Sequence, residues 1–153
     1  MERHMKTLTT WHAKADEVDR KWWIIDASNQ TVGRLATQVT NVIRGKAKPT
    51  FTPNTDTGDF VVVINSDKMF LSGKKWDVKK YYRHSRFFGS MKELTAAQQK
   101  EKDSAFILQE AVRGMLPKNK MAYTLINKVK IYPTGEHPHA AQKPELMETK
   151  RGK

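Results

Sequence analysis

Residues 59–65, Asp-Phe-Val-Val-Val-Ile-Asn, constrain the fold more than any other stretch of the chain. Five consecutive apolar side chains, four of them β-branched, stand between two polar ones. A strand with no alternation is apolar on both faces, and such strands belong to parallel sheets covered by helices. A second short apolar run, Trp22 to Asp26, ends in the turn signal Ala27-Ser28-Asn29 and reads as another buried strand. From Thr31 the period changes. Val32, Leu35, Ala36, Val39, Val42 and Ile43 recur at helical spacing, with Arg34, Gln38, Asn41 and Arg44 on the opposite face and Gly45 as a stop. Strand, helix and strand in this order predict a βαβ unit with the helix as crossover.

The remaining elements are less regular. Residues 45–58 hold two glycines and two prolines and read as a loop. Met69 to Leu71 reads as a short strand with Val78 to His84 as its hairpin partner, Gly73 to Asp77 forming a basic turn that projects Lys74 and Lys75. Lys92 to Asp103 is polar, helical or looped. Phe106, Leu108, Ala111, Val112 and Met115 form an apolar stripe that Asp103 or Ser104 is placed to cap. Asn127 to Tyr132 alternates and reads as a half-exposed strand. Pro133 onward reads as a peripheral segment or tail. The expected organisation is an N-terminal arm over 1–21, a single α/β domain over 22–144 and a C-terminal tail over 145–153.

The charge balance narrows the partner. Lys and Arg outnumber Asp and Glu by 28 to 16, and the isoelectric point is about 9.9. A basic single domain carries the footprint of a nucleic-acid binder, with an anionic membrane surface as the other standard partner. The chain has no cysteine, which excludes disulfides, thiolate metal sites and cysteine nucleophiles. No run approaches the ~18 apolar residues of a membrane span. The first 21 residues have mixed charge and no apolar centre, so they do not read as a secretory signal. A cytoplasmic protein is expected, and the sequon at Asn29-Gln30-Thr31 is read as chance.

The charge is concentrated. Ser72 to Gly89 carries six cations, Lys74, Lys75, Lys79, Lys80, Arg83 and Arg86, against Asp77 alone, so these residues supply +5 of the net +12. Trp76, Tyr81, Tyr82, Phe87 and Phe88 lie among them. Cations mixed with flat rings suit irregular or single-stranded RNA, where phosphates and unstacked bases are presented together. A solvated basic face with its rings packed inward is the competing reading.

Catalytic and cofactor patterns are weak. Gly73-Lys74-Lys75 lacks the upstream glycine and the following Ser or Thr of a phosphate loop, and no dinucleotide glycine pattern follows the first strand. His137 and His139 have no third metal ligand at useful spacing. His84-Ser85 lacks an orienting acid and the flanking glycines of a nucleophile turn. Asp56 and Asp59 fit turn chemistry better than acid–base work. Asp26, at a strand's C-terminal end, is a weak ligand candidate. No cofactor, metal or small-molecule substrate is expected.

A series of ordered motifs resembles a known family. Trp23-Ile24-Ile25-Asp26-Ala27 is followed by Gln30-Thr31-Val32-Gly33-Arg34-Leu35-Ala36-Thr37, Arg44-Gly45-Lys46, Thr52-Pro53, and Asp56-Thr57-Gly58-Asp59 leading into Val62-Val63-Ile64-Asn65. Ser72-Gly73-Lys74-Lys75, Lys80 to Ser85, Ala111 to Lys118, Lys130-Ile131-Tyr132 and Glu136 to Gln142 complete it. From about Trp22 to Pro144 the chain resembles the bacterial type of the large-subunit ribosomal protein L13 family. Ser90 stands where that family usually has a second glycine, and Asn119 to Tyr123 replaces a segment that usually carries glycines and an arginine.

The resemblance implies a three-layer α/β/α fold around a mostly parallel four-stranded sheet, with basic hairpin and loop extensions and extended termini. It implies a non-catalytic constituent of the large ribosomal subunit, bound to large-subunit ribosomal RNA beside other ribosomal proteins and acting early in assembly. The expected RNA contacts are Lys74, Lys75, Lys79, Lys80, Arg83, His84 and Arg86, then Lys46, Lys48, Lys118 and Lys120, with His137 and His139 named by resemblance more than by chemistry. A cytoplasmic ribosome is expected, an organellar one staying open. Two other classes are weighed. An α/β nucleotide-using enzyme is opposed by the missing phosphate loop. A basic peripheral membrane protein is opposed by the scarcity of cations on the two best helices.

Overall fold

A computed structural model of the chain describes residues 12–147. Strands β1 (Trp22–Asp26), β2 (Phe60–Ile64), β5 (Val129–Ile131) and β6 (Glu145–Leu146) form one sheet in the order β5-β2-β1-β6. Every neighbouring pair is parallel, with Ile24 opposite Val62 and Ile25 opposite Val63. Helices α1 (Val32–Ile43), α4 (Ser104–Met115) and α5 (Lys120–Ile126) join the sheet in the main core. The architecture is of the three-layer α/β/α class, as expected.

The pleat explains the apolar run in β2. Ile25, Val61 and Val63 face α1 and α4 in the main core. Val62 points the other way and is also fully buried. On that second face the Trp22 ring stacks on Phe60 at 4.5 Å, and the His139 ring lies 5.4 Å from Trp22. The segment carrying His137, His139 and a 3-10 turn at Ala140–Gln142 therefore packs against the second face.

Two glycines fix how α1 hands over to β2. Gly45, at φ +70°, donates its N–H to the Val42 carbonyl while Lys46 N–H bonds Asn41, so the helix closes in a Schellman motif. Gly58 passes so close to the helix end that a Cβ there would sit 1.7 Å from the Ile43 carbonyl oxygen.

Four elements differ from the sequence-based expectation. Residues Lys75–Val78 form a one-turn helix, α2, where a hairpin turn is predicted. Strand β3 (Lys80–Arg83) pairs antiparallel with β4 (Lys92–Thr95), and not with residues 69–71. Phe70 already gives its backbone to Gln30 and Val32, so its edge is taken. Helix α5 occupies a stretch where the sequence pattern predicts no element; its weak amphipathic pattern spans only seven residues, but Asn119 caps it by accepting from the Ala122 N–H at 3.2 Å. Finally, Glu145–Leu146, expected at the start of the tail, is the fourth strand of the sheet.

The N-terminal arm is described from His12. Ala13 is buried and its N–H reaches the Thr52 hydroxyl at 3.3 Å, so residues 12–21 lie along the 45–58 loop. Residues 1–11 and 148–153 lie outside the described residues.

Candidate nucleic-acid interface

The concentrated charge lies on an arm made of α2, β3 and β4, carried by α3 (Ala96–Lys102) and α4. Local chemistry sets the arm firmly. Thr95 and Gln98 form a reciprocal capping box at the start of α3, the Gln98 N–H donating to Thr95 Oγ1 at 3.3 Å and the Thr95 N–H to Gln98 Oε1 at 3.0 Å. Asp103 then ends α3 and caps α4, accepting from Ala105 N–H at 3.0 Å and Phe106 N–H at 3.3 Å. Tyr81 packs its ring edge-on to Phe106, with centroids 5.7 Å apart. Burial, with the Glu110 charge adding to it, pushes the Tyr81 phenol above its usual pKa.

The β3–β4 register sorts the arm's side chains by face. Tyr81 opposes Leu94 and Arg83 opposes Lys92, so these four share the face turned towards α4. Lys80, Tyr82, Glu93 and Thr95 share the other. Across that outer face the Lys80 ammonium bonds Glu93 at 2.9 Å, and this bond holds the Lys80 pKa above its usual value.

The loop from His84 to Met91 forms the tip. Arg86 and Gly89 have positive φ, and Ser90 Oγ donates to the Phe87 carbonyl at 2.7 Å. His84 Nδ1 accepts the Arg86 N–H at 2.8 Å, which leaves Nε2 to carry the proton and face solvent as a donor. Phe87 and Phe88 are solvent-exposed, with Met91 and Tyr82 also exposed nearby. Exposed rings beside Arg83, His84 and Arg86 exclude the reading in which every ring of this stretch packs inward. Trp76 does pack towards the core, with the Lys100 ammonium 5.2 Å above its ring. Lys79 likewise sits 5.3 Å over Tyr81.

The remaining candidates separate clearly. Lys74 and Lys75 are exposed at α2, Lys75 Nζ bonding Ser72 Oγ at 3.2 Å. Lys46 is exposed at the α1 terminus, and Lys118 and Lys120 lie at the α4–α5 junction, Lys118 and Lys120 both exposed. Lys48 is turned inward: its Nζ lies 2.5 Å from Asp59 Oδ1 and 2.7 Å from the Asp19 carbonyl oxygen. His137 and His139 are half-buried, His139 Nε2 bonding Tyr132 Oη at 2.8 Å and the His139 N–H reaching His137 Nδ1 at 3.2 Å.

The paired aspartates serve the fold. Asp59 accepts from Lys21 N–H at 2.9 Å, Trp23 Nε1 at 3.1 Å and Lys48, while Asp56 holds Lys128. Asp26 Oδ1 accepts from Ser28 N–H, Ser28 Oγ and Asn65 Nδ2 at 2.8 to 3.0 Å, tying the ends of β1 and β2. Among the described residues no group of His, Asp and Glu is arranged to hold a metal ion, and no helix is long and apolar enough to cross a membrane. Sequence reasoning passed over Lys92 and Lys102 beside the arm, because only the β3–β4 register brings them to it.

Comparison with known proteins gives a consistent result. The sequence profile of the family described as ribosomal protein L13 matches residues 20–138. The chain is 66% identical to the large ribosomal subunit protein uL13 of Bdellovibrio bacteriovorus, over 92% of this chain and 96% of that protein. It is 51% identical to the uL13 of Citrifermentans bemidjiense, over 92% and 99%, and 47% identical to that of Thermotoga petrophila, over 97% and 99%. The profile match and these identities, with the parallel sheet and the motifs on it, show that the chain belongs to the ribosomal protein L13 family.

Proposed function

We propose that the chain is a constituent of the large ribosomal subunit in the cytoplasm, that it binds large-subunit ribosomal RNA through the α2–β3–β4 arm, and that it acts early in assembly among neighbouring ribosomal proteins. The family is a structural component of the ribosome and not an enzyme, and the relatives' names supply the subunit. The observation that carries the RNA reading is the tip of the arm, where Arg83, His84 and Arg86 stand exposed around two exposed phenylalanine rings. Cations there meet phosphates, Arg in a bidentate fashion, and the rings offer stacking platforms to unpaired bases.

Lys74, Lys75 and Lys79 extend this surface, with Lys80 weakened as a contact by Glu93. Lys46, Lys118 and Lys120 are secondary contacts. Lys48 is assigned to the fold, and His137 and His139 meet RNA only by their exposed edges. Binding of the full chain to isolated large-subunit ribosomal RNA, measured across a salt series, tests the reading. About six phosphate contacts give a log–log slope near −4, by the single-strand rule of about 0.7 per contact. Salt-independent binding, or none to RNA prefolded with early-binding proteins, contradicts it.

A further inference from the structure

Between the inner face of the β3–β4 hairpin and the α3–α4 corner lies a cleft of about 510 Å³, within the size range of ligand sites. Tyr81 and Phe106 supply aromatic walls, and Arg83, Lys92 and Lys102 supply cations. At the cleft also lies Gln99, which is only 7% exposed. Its backbone carbonyl accepts the Asp103 N–H, and its side-chain amide is not among the buried polar atoms that lack a partner, so the amide meets solvent at the cleft. An amide carries two donors and an acceptor, which water satisfies until a polar ligand replaces it. The amide is therefore placed to bond a polar group that enters the cleft and displaces water. Asp103, the acid at the cleft, already caps α4.

We propose that this cleft is a nucleotide site, holding one unpaired RNA residue with its base between the Tyr81 and Phe106 rings and the Gln99 amide, and its phosphates on Arg83, Lys92 and Lys102. The assignment rests on the RNA reading above and deepens it. The tip rings stack on bases without discrimination. The cleft adds a polar group that reads a base edge, as proteins do with bases splayed from single-stranded loops. The three cations complement a phosphate on either side of the inserted residue. A neutral apolar side chain from another protein would leave both the cations and the amide unsatisfied.

The test uses large subunits purified from cells carrying the full chain. Short-wave ultraviolet irradiation followed by mass spectrometry maps nucleotide adducts on its peptides. The expected result is an adduct on Tyr81 or Phe106, its yield falling roughly fivefold in Gln99→Leu, the factor that corresponds to one hydrogen bond. Gln99→Leu keeps the side-chain size, and its incorporation at the wild-type level is read in the same samples. Adducts confined to Phe87 and Phe88, or a yield unchanged in Gln99→Leu, overturn the nucleotide site while leaving the RNA reading intact. Amine-reactive bridging of Lys92 or Lys102 to another protein, with no adduct on Tyr81 or Phe106, overturns it in favour of a protein neighbour. Absence of the chain from the subunits defeats both proposals together.

Discussion

The ammonium of Lys128 lies 2.5 Å from Asp56 Oδ1, across 72 residues of sequence. Lys128 is 4% exposed, and its Nζ also donates to the Gly58 carbonyl oxygen at 2.9 Å and lies 5.4 Å over the Phe60 ring. Burial pushes the lysine pKa down from its ordinary value, and the Asp56 carboxylate pulls it back only in part. This ion pair clamps the start of β5 onto the loop that feeds β2. Breaking a buried pair from one side costs roughly 3–5 kcal/mol, and the partial exposure of Asp56 places Lys128→Met near the lower end. Urea unfolding of Lys128→Met, Asp56→Asn and the double variant is expected to show a double-mutant loss smaller than the sum of the singles.

The approach of Gly58 to α1 makes a sharper prediction. A methyl group there meets the Ile43 carbonyl, a backbone atom held by the helix end, so Gly58→Ala is expected to cost about 3 kcal/mol or more. Gly114, inside α4, has open space around it, and Gly114→Ala is expected to gain about 0.5–1 kcal/mol from helix propensity. Opposite shifts in the urea midpoint, with unchanged slopes, check both.

Asp26 predicts a pH dependence. Burial alone would raise its carboxyl, but the Ser28 N–H, the Asn65 amide, the Ser28 hydroxyl and the Lys68 charge outweigh burial and hold its pKa below 3.8. A carboxyl depressed by folding contributes stability that is present above its unfolded value and is lost as pH falls through the folded one. The stability gap between wild type and Asp26→Asn is therefore expected to hold steady above pH 3.8 and to narrow below it. Urea titrations through the acid range measure this gap.

Lysines that look alike in sequence are expected to behave oppositely. Replacing Lys74 and Lys75 by Ala should leave stability unchanged and make the salt dependence of RNA binding shallower, by about 0.7 in slope for each phosphate that is no longer neutralised. Replacing Lys48 by Met should leave that slope unchanged. It should destabilise the fold by about 2 kcal/mol, because Asp59 is deprived of a charged partner in a largely buried site. Parallel salt titrations and unfolding curves on both variants separate the two roles.

The contrast between these lysines marks what the sequence reveals and what it hides. The βαβ unit was legible because its apolar residues follow one period at a time: β1, α1 and β2 fall within a residue or two of their expected bounds. The hairpin partner was not, because Lys92–Thr95 is a short, half-polar strand whose identity depends on pairing and not on pattern. Strand β6, two residues long, carries no period at all. The same limit applies to charge. Composition places cations in a segment, but only tertiary packing turns Lys48 and Lys128 inward while Lys74 stays in solvent. The cleft beside Gln99 joins β3, β4, α3 and α4, so no local motif could announce it.

Whether the chain is a ribosomal constituent held by RNA is decided by sedimenting a cell lysate on a sucrose gradient and washing the large-subunit fractions with high salt. The full chain is expected to travel with large ribosomal subunits and to stay with them through the wash. Salt weakens the proposed equilibrium binding to isolated RNA, but within the assembled subunit the proposed RNA and protein contacts must all be lost together before the chain leaves. A chain that remains at the top of the gradient, or that leaves the subunits as soon as the salt is raised, would contradict this.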